Sequence, residues 1–203
     1  MKIGIIGAGT VGTTLGEHFA GAGHEVLIAN SRGPESLRET LERLSKPLKP
    51  VTFEELVEQA EMFFLALPWR NVRDILRSDV DWHGRVIVDA TNIILSISPD
   101  FVLDDLKGDS GSQIVARLAP SAHVVKAFNT LPFDTMFTPT PPGFRRVLFV
   151  AGDDSKAVST VSDLIGGIGF QPVAIGKLAT AGRQMEIGGA FSRLELFAAN
   201  PRS

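Results

Sequence analysis

The sequence contains no cysteine, which excludes disulfides, thiolate nucleophiles and Cys-based metal sites together. It contains no tyrosine either, so a reductase that protonates a carbonyl through a Tyr–Lys pair cannot be built from this chain. No stretch approaches the roughly 18 to 20 apolar residues of a membrane span. The apolar start, residues 3–12, is short, punctuated by glycine and opens into a helical pattern, so it reads as a buried strand and not as a signal peptide. A sustained basic run is missing and the formal charge is -3, which leaves nucleic acid and anionic membranes no electrostatic footprint. His18, His24 and His83 lack ligand spacing, and neither a metal site nor a Ser-His-Asp constellation emerges. These absences set the expectation of a soluble, cytoplasmic protein without nucleic-acid or membrane partners.

What remains is an ordinary globular composition, 203 residues with 44% hydrophobic and 21% charged side chains. A domain of this size buries roughly 70% of the surface its unfolded chain exposes and needs no covalent staples. Short apolar runs predict strands at 2–6, 25–29, near Val51, 62–67, 85–90, 123–127, 146–151 and, as the last, 170–174. Helical spacing predicts helices at 10–22, 34–44, 53–60, 69–77, 112–118 and 155–165. This alternation signals right-handed βαβ units and a parallel sheet. The segment TPTPPG, residues 138–143, cannot join a sheet interior and reads as a surface loop. With no repeat and no linker, the chain reads as one domain over 1–203. Sheet and helices fill 1–175, and 176–203 is a short helical extension that packs on the sheet or on a partner subunit.

Residues 4–12 read GIIGAGTVG, and Gly7, Gly9 and Gly12 complete G-x-G-x-x-G between a strand and a helix. In a dinucleotide cradle the first glycine makes the tight turn and the second lets backbone approach a pyrophosphate. The third lets helix and strand pack closely. The pyrophosphate then rests on the positive end of the following helix, over Ala8, Thr10 and Val11. The same pattern alone could mark only a tight turn; the strand before it and the helix after it favour dinucleotide binding. The architecture this implies is an α/β, Rossmann-type, doubly wound and mostly parallel sheet.

The end of the second strand discriminates between cofactors. A carboxylate there would bond a ribose 2′-hydroxyl and repel a 2′-phosphate, but the chain offers Asn30, Ser31 and Arg32. A guanidinium fork and a hydroxyl suit a phosphate, so NADP(H) is the expected cofactor. The plainer alternative is a solvated turn, since Ser-Arg-Gly is good turn chemistry. Glu35 fits a first-turn helix charge better than a ligand contact.

Together with NSRGPESL, the segments ALPW (66–69), DATN (89–92), VKAFNT (125–130) and FVAGDD (149–154) give the chain a resemblance along nearly its whole length. It resembles the NADP oxidoreductases that depend on coenzyme F420, a deazaflavin, and their bacterial relatives of unassigned substrate. A similar domain forms the cytosolic part of membrane-bound metalloreductases. The resemblance implies that Ser31 and Arg32 hold the 2′-phosphate and that Gly7, Gly9 and Gly12 form the cradle. The chain departs from the family at two places. It has Asn129 and Thr130 where the founding deazaflavin enzymes use a histidine-threonine pair, and DATNII where many relatives read Asn-Pro.

Open parallel sheets bind ligands beyond the carboxyl ends of their strands. That rule gathers Leu67, Pro68, Trp69, Thr91, Asn92, Phe128, Asn129 and Thr130 around a nicotinamide, with Trp69 and Phe128 as flat walls or, equally, as core. Asn92 and Asn129 could instead stabilise turns. Lys126 and His123 are the candidate acids, but His123 starts its strand and Lys126 lies in a buried run, so a structural role is favoured for both. The expected activity is hydride transfer between NADPH and F420, a flavin or a similar small redox acceptor. Such chemistry depends on positioning more than on a strong acid. The rivals are a small carbonyl or imine reductase with Lys126 as acid, and a non-catalytic NADP-sensing module. The apolar stretch GRQMEIGGAFSRLELF adds the expectation of a homodimer.

Overall fold

The computed structural model describes residues 1–76 and 80–200. Strand β1 (Lys2–Ile6), helix α1 (Thr10–Gly21) and strand β2 (Glu25–Ala29) form the first βαβ unit, with β1 and β2 parallel and in register from Lys2 opposite Glu25. Helix α1 ends at Ala22, and Gly23 follows at φ +88°, the left-handed turn that glycine makes at low cost. After a 3-10 turn (Pro34–Leu37) come α2 (Arg38–Glu42), β3 (Lys49–Pro50), α3 (Phe53–Gln59) and β4 (Met62–Leu65). Helix α3 is started by a capping box, in which Thr52 and Glu55 satisfy each other's backbone N–H groups. A second 3-10 turn (Trp69–Asn71) leads into α4 (Val72–Ile75) and on to β5 (Val86–Asp89). The helix expected over 69–77 is thus split, and its end at Arg77 lies outside the described residues.

The second half brings hairpin β6 (Ile94–Ser96) and β7 (Val102–Leu103), then α5 (Gly111–Leu118) and β8 (His123–Lys126). It continues with α6 (Phe133–Met136), β9 (Phe144–Gly152), α7 (Ser155–Gly167) and β10 (Gln171–Gly176). The main sheet runs β10-β9-β8-β5-β4-β1-β2-β3. Six strands from β3 to β8 are parallel, and the order reverses between β1 and β4, the switch point at which doubly wound sheets open a crevice.

Strand β9 departs from the parallel expectation: it runs antiparallel to β8, pairing Lys126 with Ala151. The chain between them holds only the four-residue α6, too little helix for the usual crossover that returns a strand parallel. The strand expected over 170–174 is not the last. Beyond it lie a π-helical turn (Leu178–Gly182), α8 (Arg183–Met185) and β11 (Phe197–Ala199), which adds antiparallel to β9. The C-terminal segment therefore folds back on the sheet.

Both faces of the sheet are buried, which is why its strands read as continuous apolar runs. Ile5, Phe64, Val88 and Val125 point into one core with Leu15 and Phe19 of α1, while Ile6, Leu65, Ile87 and Val124 point into the other with Leu56, Trp69 and Val115. Phe19 and Phe64 meet with ring centroids 4.7 Å apart, and Phe64 meets Phe128 edge-on at 5.8 Å. Rings of this size dominate core burial and fix how α1 seats on the sheet.

Candidate active site

The turn after β1 is built so that nothing but glycine fits two of its positions. Gly7 takes φ +113°, and a Cβ on it would stand 2.3 Å from the Ala66 carbonyl oxygen. A Cβ on Gly12 would stand 1.9 Å from the Gly7 carbonyl oxygen, so α1 crosses the strand end at backbone contact. Gly9 is different: a Cβ there would meet nothing within 4 Å. No protein atom requires glycine at that position, and the space above it is where a ligand phosphate would approach. Gly9 also caps α1, and no side chain accepts from the first turn over Thr10, Val11 and Gly12. Those backbone N–H groups are left to a ligand or solvent.

A cleft of about 550 Å³ extends from this turn. Gly7, Ala8 and Gly9 line it together with Asn30, Ser31 and Arg32 at the end of β2 and Leu67 and Pro68 after β4. Asn30 shapes the loop: its Oδ1 accepts from Arg32 N at 2.9 Å and its Nδ2 donates to Ser36 Oγ at 2.9 Å. Ser31 and Arg32 are exposed at the rim, and Arg32 forms no ion pair with any described residue. Glu35 is engaged by Arg38 at 2.5 Å, which takes the nearby carboxylate out of competition for Arg32. A neighbouring depression of about 740 Å³ shares Phe53, Asp74 and Ile75 with the cleft. Glu54, Glu58, Asp74 and Asp81 line it together with His83 and Arg85. The residues at the cleft fit a dinucleotide carrying a 2′-phosphate: free N–H donors at a helix start, an open cradle, and a hydroxyl and guanidinium at the far rim.

The other sequence-derived residues are placed differently. Trp69 is fully buried, with Nε1 donating to Asp104 Oδ2 at 2.7 Å, and does not line the cleft. Phe128 is equally buried among Phe19 and Phe64, in a left-handed backbone conformation at φ +62° that a bulky residue adopts only under constraint. Asn92 and Asn129 hold each other: Asn92 Nδ2 donates to the Asn129 carbonyl at 3.2 Å, and Asn129 Nδ2 donates to Asn92 Oδ1 at 3.3 Å. Asn129 Nδ2 also donates to the Met185 carbonyl at 2.9 Å, while its Oδ1 finds no partner in the protein. His123 sits at the amino end of β8, exposed and facing Asp154.

Beneath these strand ends lies a buried charge cluster of which the sequence reading had only Lys126. Its side chain is fully buried, and Nζ lies 3.2 Å from Asp89 Oδ2, 3.1 Å from the Thr91 carbonyl and 3.4 Å from Glu186 Oε1. Asp89, also fully buried, accepts from Thr91 N at 3.0 Å, Thr91 Oγ1 at 2.6 Å and Ser112 Oγ at 2.6 Å. Burial alone would push its carboxyl up, but Lys126 with the Ser112 and Thr91 bonds holds it below the usual range. Burial likewise opposes the Lys126 charge, and Asp89 and Glu186 outweigh it, so the ammonium grips its proton harder than usual. Glu186 is the exception, raised by burial and by the Asp89 charge in spite of Lys126. The signal for this cluster was present in the sequence: one aspartate ends VIVD and one lysine ends HVVK, on strands that are otherwise apolar. Glu186 gave no such signal, because only the fold brings it there. Among the described residues no cluster of metal-ligating side chains forms, and no helix is long and apolar enough to cross a membrane.

The family model described as NADP oxidoreductase, coenzyme F420-dependent, matches residues 2–93. A solved structure of a hypothetical protein from Sinorhizobium meliloti is 39% identical, with a TM-score of 0.87 over 98% of this chain and 96% of its own. A candidate F420-dependent NADP-reductase from Arthrobacter sp. FB24 is 26% identical, with a TM-score of 0.74 over 91% of this chain and 89% of its own. The chain belongs to the family of F420-dependent NADP oxidoreductases. The metalloreductase STEAP3 of Rattus norvegicus is 31% identical over 186 residues, 91% of this chain. The chain spans only 36% of the length of that rat protein. An imine reductase from Aspergillus terreus, in complex with NADPH4, shares the fold at a TM-score of 0.66 with 16% identity, a likeness of architecture alone.

Proposed function

We propose that this protein is an NADP(H)-dependent oxidoreductase that passes hydride between NADPH and coenzyme F420, a flavin or a similar small redox acceptor. The observation that carries the reading is the cleft in which the open space over Gly9 joins the exposed Ser31 hydroxyl and Arg32 guanidinium. The N–H groups at the start of α1 would hold the pyrophosphate, and Ser31 and Arg32 the 2′-phosphate, on a loop braced by Asn30. The bound nicotinamide supplies or accepts the hydride. Leu67 and Pro68 give the cleft an apolar flank that limits water.

Lys126 is a poor acid for a carbonyl or imine reduction. Each of its three ammonium protons has an acceptor, and its side chain is wholly buried. Hydride exchange between two ring systems makes no such demand. The exposed Phe144, Leu196 and Phe197 around β11 support the further proposal of a homodimer, which sedimentation as a monomer would remove.

The test is NADPH oxidation followed against F420, flavin, quinone and ferric acceptors, with NADH as the control donor. Oxidation of NADPH by F420 or a flavin, with NADH far weaker, is the expected result. NADPH binding without turnover of any acceptor would overturn it in favour of a sensing module.

A further inference from the structure

The buried cluster holds more negative groups than positive ones. Asp89 receives four donors and is fully served as an anion, and Lys126 has three acceptors and is fully served as a cation. Glu186 brings a second carboxyl whose side chain is 8% exposed. Its Oε1 accepts from Gly111 N at 2.9 Å and faces Lys126, but its Oε2 is buried with no donor in the protein. A bare carboxylate oxygen in such a place carries the full cost of desolvation. The adjacent residue, Met185, accepts from Asn129 Nδ2, and Asn129 Oδ1 is the second buried oxygen without a donor. These two orphaned acceptors lie on one seam between the C-terminal segment and the strand ends, and a proton on one of them would serve both.

We propose that Glu186 is held as the neutral acid, its Oε2 hydroxyl closing onto Asn129 Oδ1 directly or through one water, and that it is a positioning residue for the reaction. Neutral Glu186 keeps Lys126 committed to Asp89 and keys the C-terminal segment to the N-terminus of α5 through Gly111. It also fixes Asn129, and through it Asn92, in one orientation at the carboxyl ends of β5 and β8. The charged groups that face it are Lys126 from β8 and Asp89 from β5; α5 presents the Gly111 N–H and the Ser112 hydroxyl to the cluster. Burial and the Asp89 charge act in the same direction, raising the proton affinity of Glu186.

The sign follows. A carboxyl that keeps its proton in the folded state above the usual carboxylate range makes stability fall as pH rises through the window from that range up to its own raised value. The effect on acceptor use rests on the function proposed above; the protonation state does not, so the two can fail separately. Infrared difference spectra of the whole protein, wild type minus Glu186→Gln, are expected to show a protonated-carboxyl band at neutral pH. Asn129→Ala is expected to shift that band by removing the acceptor. Glu186→Gln, which cannot ionise, is expected to flatten the decline of the melting temperature with rising pH. It should also remove a rise of about tenfold or less in acceptor KM over the same range, with kcat changed less. Absence of the band, or a band unmoved by Asn129→Ala, overturns the proposal. An unchanged pH dependence of melting in Glu186→Gln overturns it as well, even if that variant is otherwise well folded.

Discussion

Lys126 and Asp89 face each other from adjacent parallel strands, Nζ to Oδ2 at 3.2 Å, with neither side chain exposed to solvent. Removing one partner of a buried pair leaves a charge without compensation, a loss of about 3–5 kcal/mol. Lys126→Met is expected to cost that much in denaturant unfolding, because Asp89 keeps its other donors but loses its cation. Asp89→Asn is expected to cost less: Glu186 stands 3.4 Å from the same ammonium and can ionise to take Asp89's place. Equal losses in the two variants would contradict that asymmetry.

The pair also predicts an acid limb. The folded carboxyl of Asp89 lies below its usual range, held there against burial by Lys126, Ser112 and Thr91. The unfolded chain therefore binds more protons than the folded one between the usual range and the lowered value. The stabilisation is complete above the usual carboxylate range and is lost as pH falls through the folded value. Urea midpoints measured down the acid range should fall in the wild type. In Asp89→Asn the fall should be shallower from a lower starting point.

Gly9 and Gly12 separate binding from folding. The Cβ of Gly12→Ala would stand 1.9 Å from the Gly7 carbonyl oxygen, so α1 must move off the strand. That variant is expected to lose stability by about 1–3 kcal/mol, as overpacked sites do, or more. The Cβ of Gly9→Ala meets nothing, so its melting temperature should stay close to wild type while NADPH affinity falls. Calorimetric titration beside a melting curve checks both. Unaltered NADPH affinity in Gly9→Ala would remove the cradle from the binding site.

The first half of the fold was legible because its signals are local. Glycines, caps and apolar runs bounded β1, α1, β2 and β4 to within about two residues, as boundary uncertainty allows. The hairpin β6–β7 and helix α6 escaped because elements of two to four residues carry no periodicity. Antiparallel β9 and the late strand β11 are set by which chain ends meet, not by their own composition. The candidate site divides the same way. Gly7, Gly9, Ser31 and Arg32 could be placed from the motif, since a glycine turn and a strand end fix where they go. Trp69 and Phe128 could not, because an aromatic residue at a strand end reads alike whether it walls a cleft or fills a core. Glu186 meets Lys126 across a sequence separation of 60 positions, a contact that no local pattern contains.

Arg32 offers the sharpest test of cofactor choice. Its guanidinium is exposed at the rim of the cleft and unpaired with any described residue, and Asn30 holds its backbone N–H at 2.9 Å. A side chain without protein partners contributes little to stability, so Arg32→Ala should melt close to wild type. A charge-assisted bond to a 2′-phosphate is worth roughly 1.5–3 kcal/mol, or about ten- to hundredfold in affinity. NADPH should therefore weaken by that factor in Arg32→Ala, while NADH, which lacks the phosphate, should change little. Ser31→Ala should repeat the pattern at smaller size, since it removes one neutral hydroxyl. Parallel loss of both nucleotides would mean that the loop supports the cleft in general and that the 2′-phosphate is held elsewhere. Asn30→Ala tests the loop in its own right: it leaves the guanidinium but releases the Arg32 N–H. A selective loss of NADPH there shows that the loop must present Arg32 in one position for the discrimination to work.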